Sequence, residues 1–96
     1  MFDKQKQITL SGTVREFQFS NPHCFIQLVV SNGTDLVEWS IEMASPAHLL
    51  RSGWNRSTIK VGDKLTVILN PARSVSNGGL FVSATREDGS PIGVQP

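Results

Sequence analysis

Val37-Glu38-Trp39-Ser40-Ile41-Glu42-Met43-Ala44-Ser45-Pro46-Ala47-His48-Leu49-Leu50-Arg51-Ser52-Gly53 decides how this chain folds. Its opening residues alternate, Val37, Trp39, Ile41 and Met43 against Glu38, Ser40 and Glu42, which is the period of a strand with one covered face and one wet face. At Ser45-Pro46 the period changes. A serine hydroxyl accepts from the free amide donors of a first helical turn, and proline fits the first helical position. The reading is a short helix with Leu49 and Leu50 as its buried contacts and Gly53 as its stop.

Outward from this stretch the signals repeat on both sides. Before it, Ser31-Asn32-Gly33-Thr34 contains Asn-Gly, a strong hairpin signal, read as a type I′ turn with positive φ at both central residues. The preceding Cys24-Phe25-Ile26-Gln27-Leu28-Val29-Val30 is apolar almost throughout, as expected of a strand at least partly covered on both faces. Asn21-Pro22 separates it from an earlier strand, because proline lacks a ladder donor and restricts the residue before it. In that first strand Ile8, Leu10, Gly12 and Val14 share one phase and Phe17 and Phe19 the other. A bulge near Arg15 or Glu16 is expected to repair the phase.

After the helix, 54–60 reads as an irregular connection and Val61-Gly62-Asp63 as a turn into a fourth strand, 64–70, ended by Pro71. Asn77-Gly78-Gly79 reads as a hairpin turn before a fifth strand, 80–85, and Asp88-Gly89 turns the tail back. Three strands, a short helix and two strands, with a long bent first strand, predict an all-β fold. Its form is a five-stranded barrel of the oligonucleotide/oligosaccharide-binding (OB) type with one short helix between strands 3 and 4. One domain, 1–96, is expected, with short flexible ends at about 1–6 and 89–96.

Composition narrows the roles. Of 96 residues, 39% are hydrophobic and 18% charged, which suits one packed core and argues against disorder. Nine Lys/Arg against eight Asp/Glu leave a formal charge of +1, too little to steer the whole chain toward nucleic acid or an acidic membrane. The lone Cys24 excludes an internal disulfide framework and four-cysteine zinc patterns. No apolar run is long enough to span a bilayer.

The candidate sites each compete with a simpler structural role. His23 and Cys24 are neighbours where the first two strands meet, but adjacent strand residues point to opposite faces, so they do not form a thiol-imidazole pair or share one metal. A copper or zinc site using His23 would have to recruit Met43 or His48, without a supporting ligand spacing. Glu38 and Glu42 are roughly 13 Å apart by strand rise, beyond the spacing of glycosidase carboxylates, and read more simply as a solvated face. Trp39 shares the phase of Val37 and Ile41 and suits the core, while Trp54 suits a barrel end. No catalytic set, Gly-rich phosphate loop or cofactor motif is present, so no enzyme activity and no cofactor are expected.

Several of these stretches together resemble a family of small exported bacterial proteins of unknown function: Ile8-Thr9-Leu10-Ser11-Gly12-Thr13-Val14 with Phe17, Asn21-Pro22-His23, Val37-Glu38-Trp39-Ser40-Ile41-Glu42-Met43, Gly53-Trp54, Val61-Gly62-Asp63 and Ser76-Asn77-Gly78-Gly79. The resemblance implies a secretion signal and a short histidine-bearing stretch ahead of Phe2-Asp3, hence a periplasmic or secreted location, with a cytoplasmic one as the alternative. Cys24 departs from the family, which more often has serine or alanine there. The family's recurring motifs mark Asn21, His23, Glu38, Trp39, Glu42 and Trp54 as binding candidates, bordering one site or tying one joint.

The expected function is a non-enzymatic binding or accessory module of the bacterial envelope, with a small ligand or a protein as partner. Its alternatives are a single-stranded nucleic-acid-binding OB domain and a copper- or zinc-binding protein using His23. Glu38 and Glu42 oppose a phosphate chain on the strands that OB barrels use for nucleic acid, and the basic residues are scattered.

Overall fold

In the computed structural model, which describes residues 1–93, the predicted strand order is present. β1 (Ile8–Gln18), β2 (Phe25–Asn32), β3 (Asp35–Glu42), β4 (Lys64–Pro71) and β5 (Gly78–Arg86) are joined by α1 (Pro46–Arg51) between β3 and β4. They close a barrel in the order β1-β2-β3-β5-β4. Every pairing is antiparallel except β3 with β5, where closure rests on Ser40, Ile41 and Glu42 against Gly78, Gly79 and Leu80.

The phase change in β1 is a bulge. Val14 pairs with Leu28 and Glu16 with Gln27, so Arg15 is the extra residue. The insertion turns Phe17 inward, opposite the fully buried Ile26, and leaves the Arg15 side chain outside. Ile8 to Thr13 of β1 pair with β4, and Thr13 to Gln18 with β2 on either side of the bulge, so one long strand serves both halves of the barrel. Val14, Ile26, Leu28, Ile41, Leu65, Val67 and Leu69 fill the interior, the alternation expected for each strand.

The ends of the elements bring corrections. The β2–β3 turn has Gly33 as its first central residue, φ +69°, with Asn32 paired to Asp35 as the last strand residue. Thr34, the second central residue, has no positive φ, so the turn is not the expected type I′; glycine at the first central position suits type II′. In α1, Ser45 caps the helix through its hydroxyl, which accepts from the His48 amide at 3.3 Å, and Pro46 takes the first position. Leu49 is buried as read, but Leu50 is 56% exposed. A helix of six residues presents one narrow stripe to the core, and successive residues point about 100° apart.

Gly78 and Gly79 belong to β5 and do not form the expected turn, which is carried by the residues before them and ends at Asn77, φ +59°. Gly79 sits where β5 presses on β4: a Cβ there would collide with the Leu69 side chain and lie 2.6 Å from the Asn70 carbonyl oxygen. A second bulge, not anticipated, falls in β5, where Leu69 pairs with Phe81 and Ile68 with Ser83, leaving Val82 extra.

The stretches expected as flexible ends make defined contacts as far as they are described. Phe2 bridges to Ala72, and the Asp3 amide donates to the Pro71 carbonyl at 2.8 Å. The Asp88-Gly89 turn brings Pro91 beside Thr85 and sends Ile92 into the core at 3% exposure. Residues 94–96 lie outside the described part.

Candidate functional site

The outer face of β3 carries both carboxylates, and each has acquired a partner. Arg15, set outward by its bulge, holds Glu38 in a fork, Nε to Oε1 at 2.5 Å and Nη2 to Oε2 at 3.0 Å. The hydrogen bond and charge of Glu38 raise the guanidinium pKa above its ordinary value. This pair stands on an open surface, its side chains 50% and 42% exposed.

Glu42 is held differently. Phe25 pairs with it across the ladder, and His23, two residues before Phe25, reaches the same outer face. Its Nδ1 lies 2.6 Å from Glu42 Oε2. Beside a carboxylate that nitrogen is the N–H donor, which fixes the ring and turns Nε2 away from the acid. The Glu42 side chain is 26% exposed, so this carboxylate is the more sheltered of the two.

The shelter comes from a groove of about 400 Å³ between the end of β3, α1 and β5. His23 and Glu42 lie along it, Leu80, Phe81, Val82 and Ile92 line its apolar side, and Trp54 is part of its floor. Trp54 is 3% exposed and set by rings, with centroids 5.8 Å from Phe17 and 5.6 Å from Phe81. His48 of α1 and the bulged Val82 also face this space.

A wider and more open concavity of about 760 Å³ runs over β1, β2 and β4. Arg15, Val29, Leu36, Val61 and Lys64 are among its lining residues. Leu36 and Val61 are 75% and 72% exposed there. Sequence reasoning missed this concavity, although Leu36 gave a signal: it is an apolar residue in phase with Glu38 and Ser40 on the wet side of β3.

The six candidates from the sequence therefore do not gather at one point. His23, Glu42 and Trp54 meet at the narrow groove. Glu38 lies farther along β3 with Arg15. Trp39 is half-buried and pairs opposite Leu28, and Asn21 is exposed in the β1–β2 turn, lining neither groove. The sequence did not mark Phe81 and Val82, because a β5 bulge depends on which β4 residues oppose it.

The alternative metal reading finds His23, Met43 and His48 along one groove, with Met43 buried. Among the described residues no three of His, Cys, Asp and Glu stand together as a metal-holding group. Cys24 is fully buried, and burial raises its thiol pKa, which suppresses the reactive thiolate.

A family model described as a family of unknown function, DUF6152, matches residues 1–83. No curated protein matches the chain. Among solved structures, the chain is similar to the mitochondrial single-stranded DNA-binding protein Rim1 of S. cerevisiae, with a TM-score of 0.65 and 9% identity, over 91% of this chain and 95% of that one. At that identity the likeness shows the fold alone, an OB-type barrel.

Proposed function

The chain belongs to DUF6152, a family of unknown function, and we propose that it is a non-enzymatic binding module of the bacterial envelope that holds a small ligand in the narrow groove. The observation that carries this reading is the meeting of His23 and Glu42 with an apolar groove of about 400 Å³ above Trp54. Ligand sites are typically clefts of about 300–1,000 Å³, mostly apolar with a few converging polar groups. The wider concavity has the volume but is more open, and one of its cations, Arg15, is already committed to Glu38. The envelope location rests on the motif resemblance to exported proteins.

Rim1 is by its name a single-stranded DNA-binding protein, and the same use of this barrel is the competing reading. The charge distribution weighs against it. The outer face of β1 to β3 carries Glu16, Glu38 and Glu42, with Arg15 between Glu16 and Glu38. Carboxylates on that face repel a phosphate chain instead of releasing its counterions.

The test is a pair of titrations followed by tryptophan fluorescence and anisotropy. A panel of small aromatic compounds is expected to bind wild type, and a labelled oligothymidine is expected to bind only weakly at low and at moderate salt. Tight, salt-sensitive oligonucleotide binding would replace this reading with the nucleic-acid one.

A further inference from the structure

The two carboxylates of β3 differ in one respect that bears on ligand choice. Glu38 is neutralised by the permanent charge of Arg15 in a two-bond fork. Glu42 is held by an imidazole, and among the described residues it is the sole carboxylate lining the narrow groove, which no Lys or Arg lines and whose other ionisable residues are His23 and His48. Arg51 and Arg56 lie on nearby segments but do not line it. His23 occupies Oε2, and Oε1 has no partner among the described residues.

Resting on the small-ligand reading above, we infer that the groove is selective for a cationic amphiphile: a primary ammonium or guanidinium head that donates to Glu42 Oε1, on an apolar body that lies against Leu80, Phe81 and Val82. The geometry supplies both halves. A carboxylate with 26% of its side chain exposed is screened by water less than one on an open face, so a head group gains more by reaching it. The imidazole bond holds Oε2 and thereby the carboxylate orientation, so the second oxygen is presented without further loss of side-chain freedom on binding. The apolar wall continues from β5 to Ile92, so the body loses water as the head meets the acid. An anionic head at the same place would face Glu42 unpaired.

Three probes of matched shape separate this inference from the reading beneath it: 2-phenylethylammonium, 2-phenylethanol and 3-phenylpropionate, titrated calorimetrically near neutral pH into wild type, Glu42→Gln and Glu38→Gln. Wild type is expected to bind the ammonium about tenfold more tightly than the alcohol, the difference expected of a charged hydrogen bond, and the propionate most weakly. Glu42→Gln should bring ammonium and alcohol within about twofold of each other, while Glu38→Gln keeps the preference. Added salt should weaken the ammonium in wild type and leave the alcohol unchanged. Equal binding of ammonium and alcohol by wild type would overturn the cationic inference and leave the groove reading standing. Loss of the preference in Glu38→Gln would overturn it too, by moving the recognising charge to the open face. No binding by any probe would overturn the groove reading and this inference with it.

Discussion

Two acid-base pairs stand on the outer face of β3, four residues apart, and what surrounds each sets what it can do. Glu38 with Arg15 spans β3 and β1 on an open surface, both charges permanent and both side chains about half exposed. Glu42 with His23 ties the start of β2 to the end of β3 at the lip of an apolar groove. The first is a surface strap, whose contribution is limited by solvent and salt. The second sets a carboxylate against an imidazole, with no Arg or Lys among the described residues that line the groove. Residue type and strand phase are the same for both glutamates; the β5 bulge, α1 and Trp54 build the groove beside one of them.

The comparison breaks most readily at the groove floor. Trp54→Ala removes a ring that is 3% exposed and packed at an angle against two others, and should cost about 3–5 kcal/mol in urea unfolding. The half-buried Trp39 should cost clearly less when truncated in the same assay. Equal costs would mean that the groove end is no better packed than the barrel wall.

Gly79→Ala tests the closure that keeps β5 against β3 and β4. The added methyl meets the Leu69 side chain and the Asn70 carbonyl, and a loss of about 1–3 kcal/mol is expected from overpacking. A neutral substitution would show that β5 can shift, and with it the groove wall.

A smaller effect is expected from alkaline pH. Burial raises the Cys24 pKa in the folded state, so the contribution of the neutral thiol is fully present below the ordinary thiol pKa of about 8.5 and is lost as pH rises through the higher folded value. Wild type should therefore lose more stability than Cys24→Ala between neutral pH and about pH 10. Parallel pH curves for the two proteins would contradict a buried, neutral thiol.

The smallest effect belongs to the strap. Arg15→Ala should leave the unfolding midpoint nearly unchanged and the affinity of the groove for 2-phenylethylammonium unaltered, read by thermal melting and calorimetry. A loss of binding would join the two pairs into one site.

Much of this barrel was legible because its signals are local. The alternation in 37–43, Ser45-Pro46 at the helix start and the phase slip at Arg15 each record a backbone requirement within a few residues. Gly78 and Gly79 were misread because the same pair suits a turn or a crowded strand, and the choice is made by Leu69 and Asn70 on another strand. Leu50 was misread because two adjacent leucines cannot both face the core from so short a helix. For the site, the motifs marked both His23 and Glu42, but their meeting is set by the register that puts Phe25 opposite Glu42. The Arg15–Glu38 fork was not foreseeable, since the direction of a bulged side chain depends on the register of its partner. Ile92 escaped for a similar reason: its burial depends on the tail bridging back to Thr85.

The most direct measurement is a nuclear magnetic resonance titration of isotope-labelled protein with 2-phenylethylammonium, following the two indole N–H signals and the backbone amides. Binding in the narrow groove predicts shifts at Trp54, His48, Phe81 and Val82, with Arg15, Leu36 and Val61 unmoved. Shifts centred on Leu36, Val61 and Lys64, or none at saturating ligand, would contradict it.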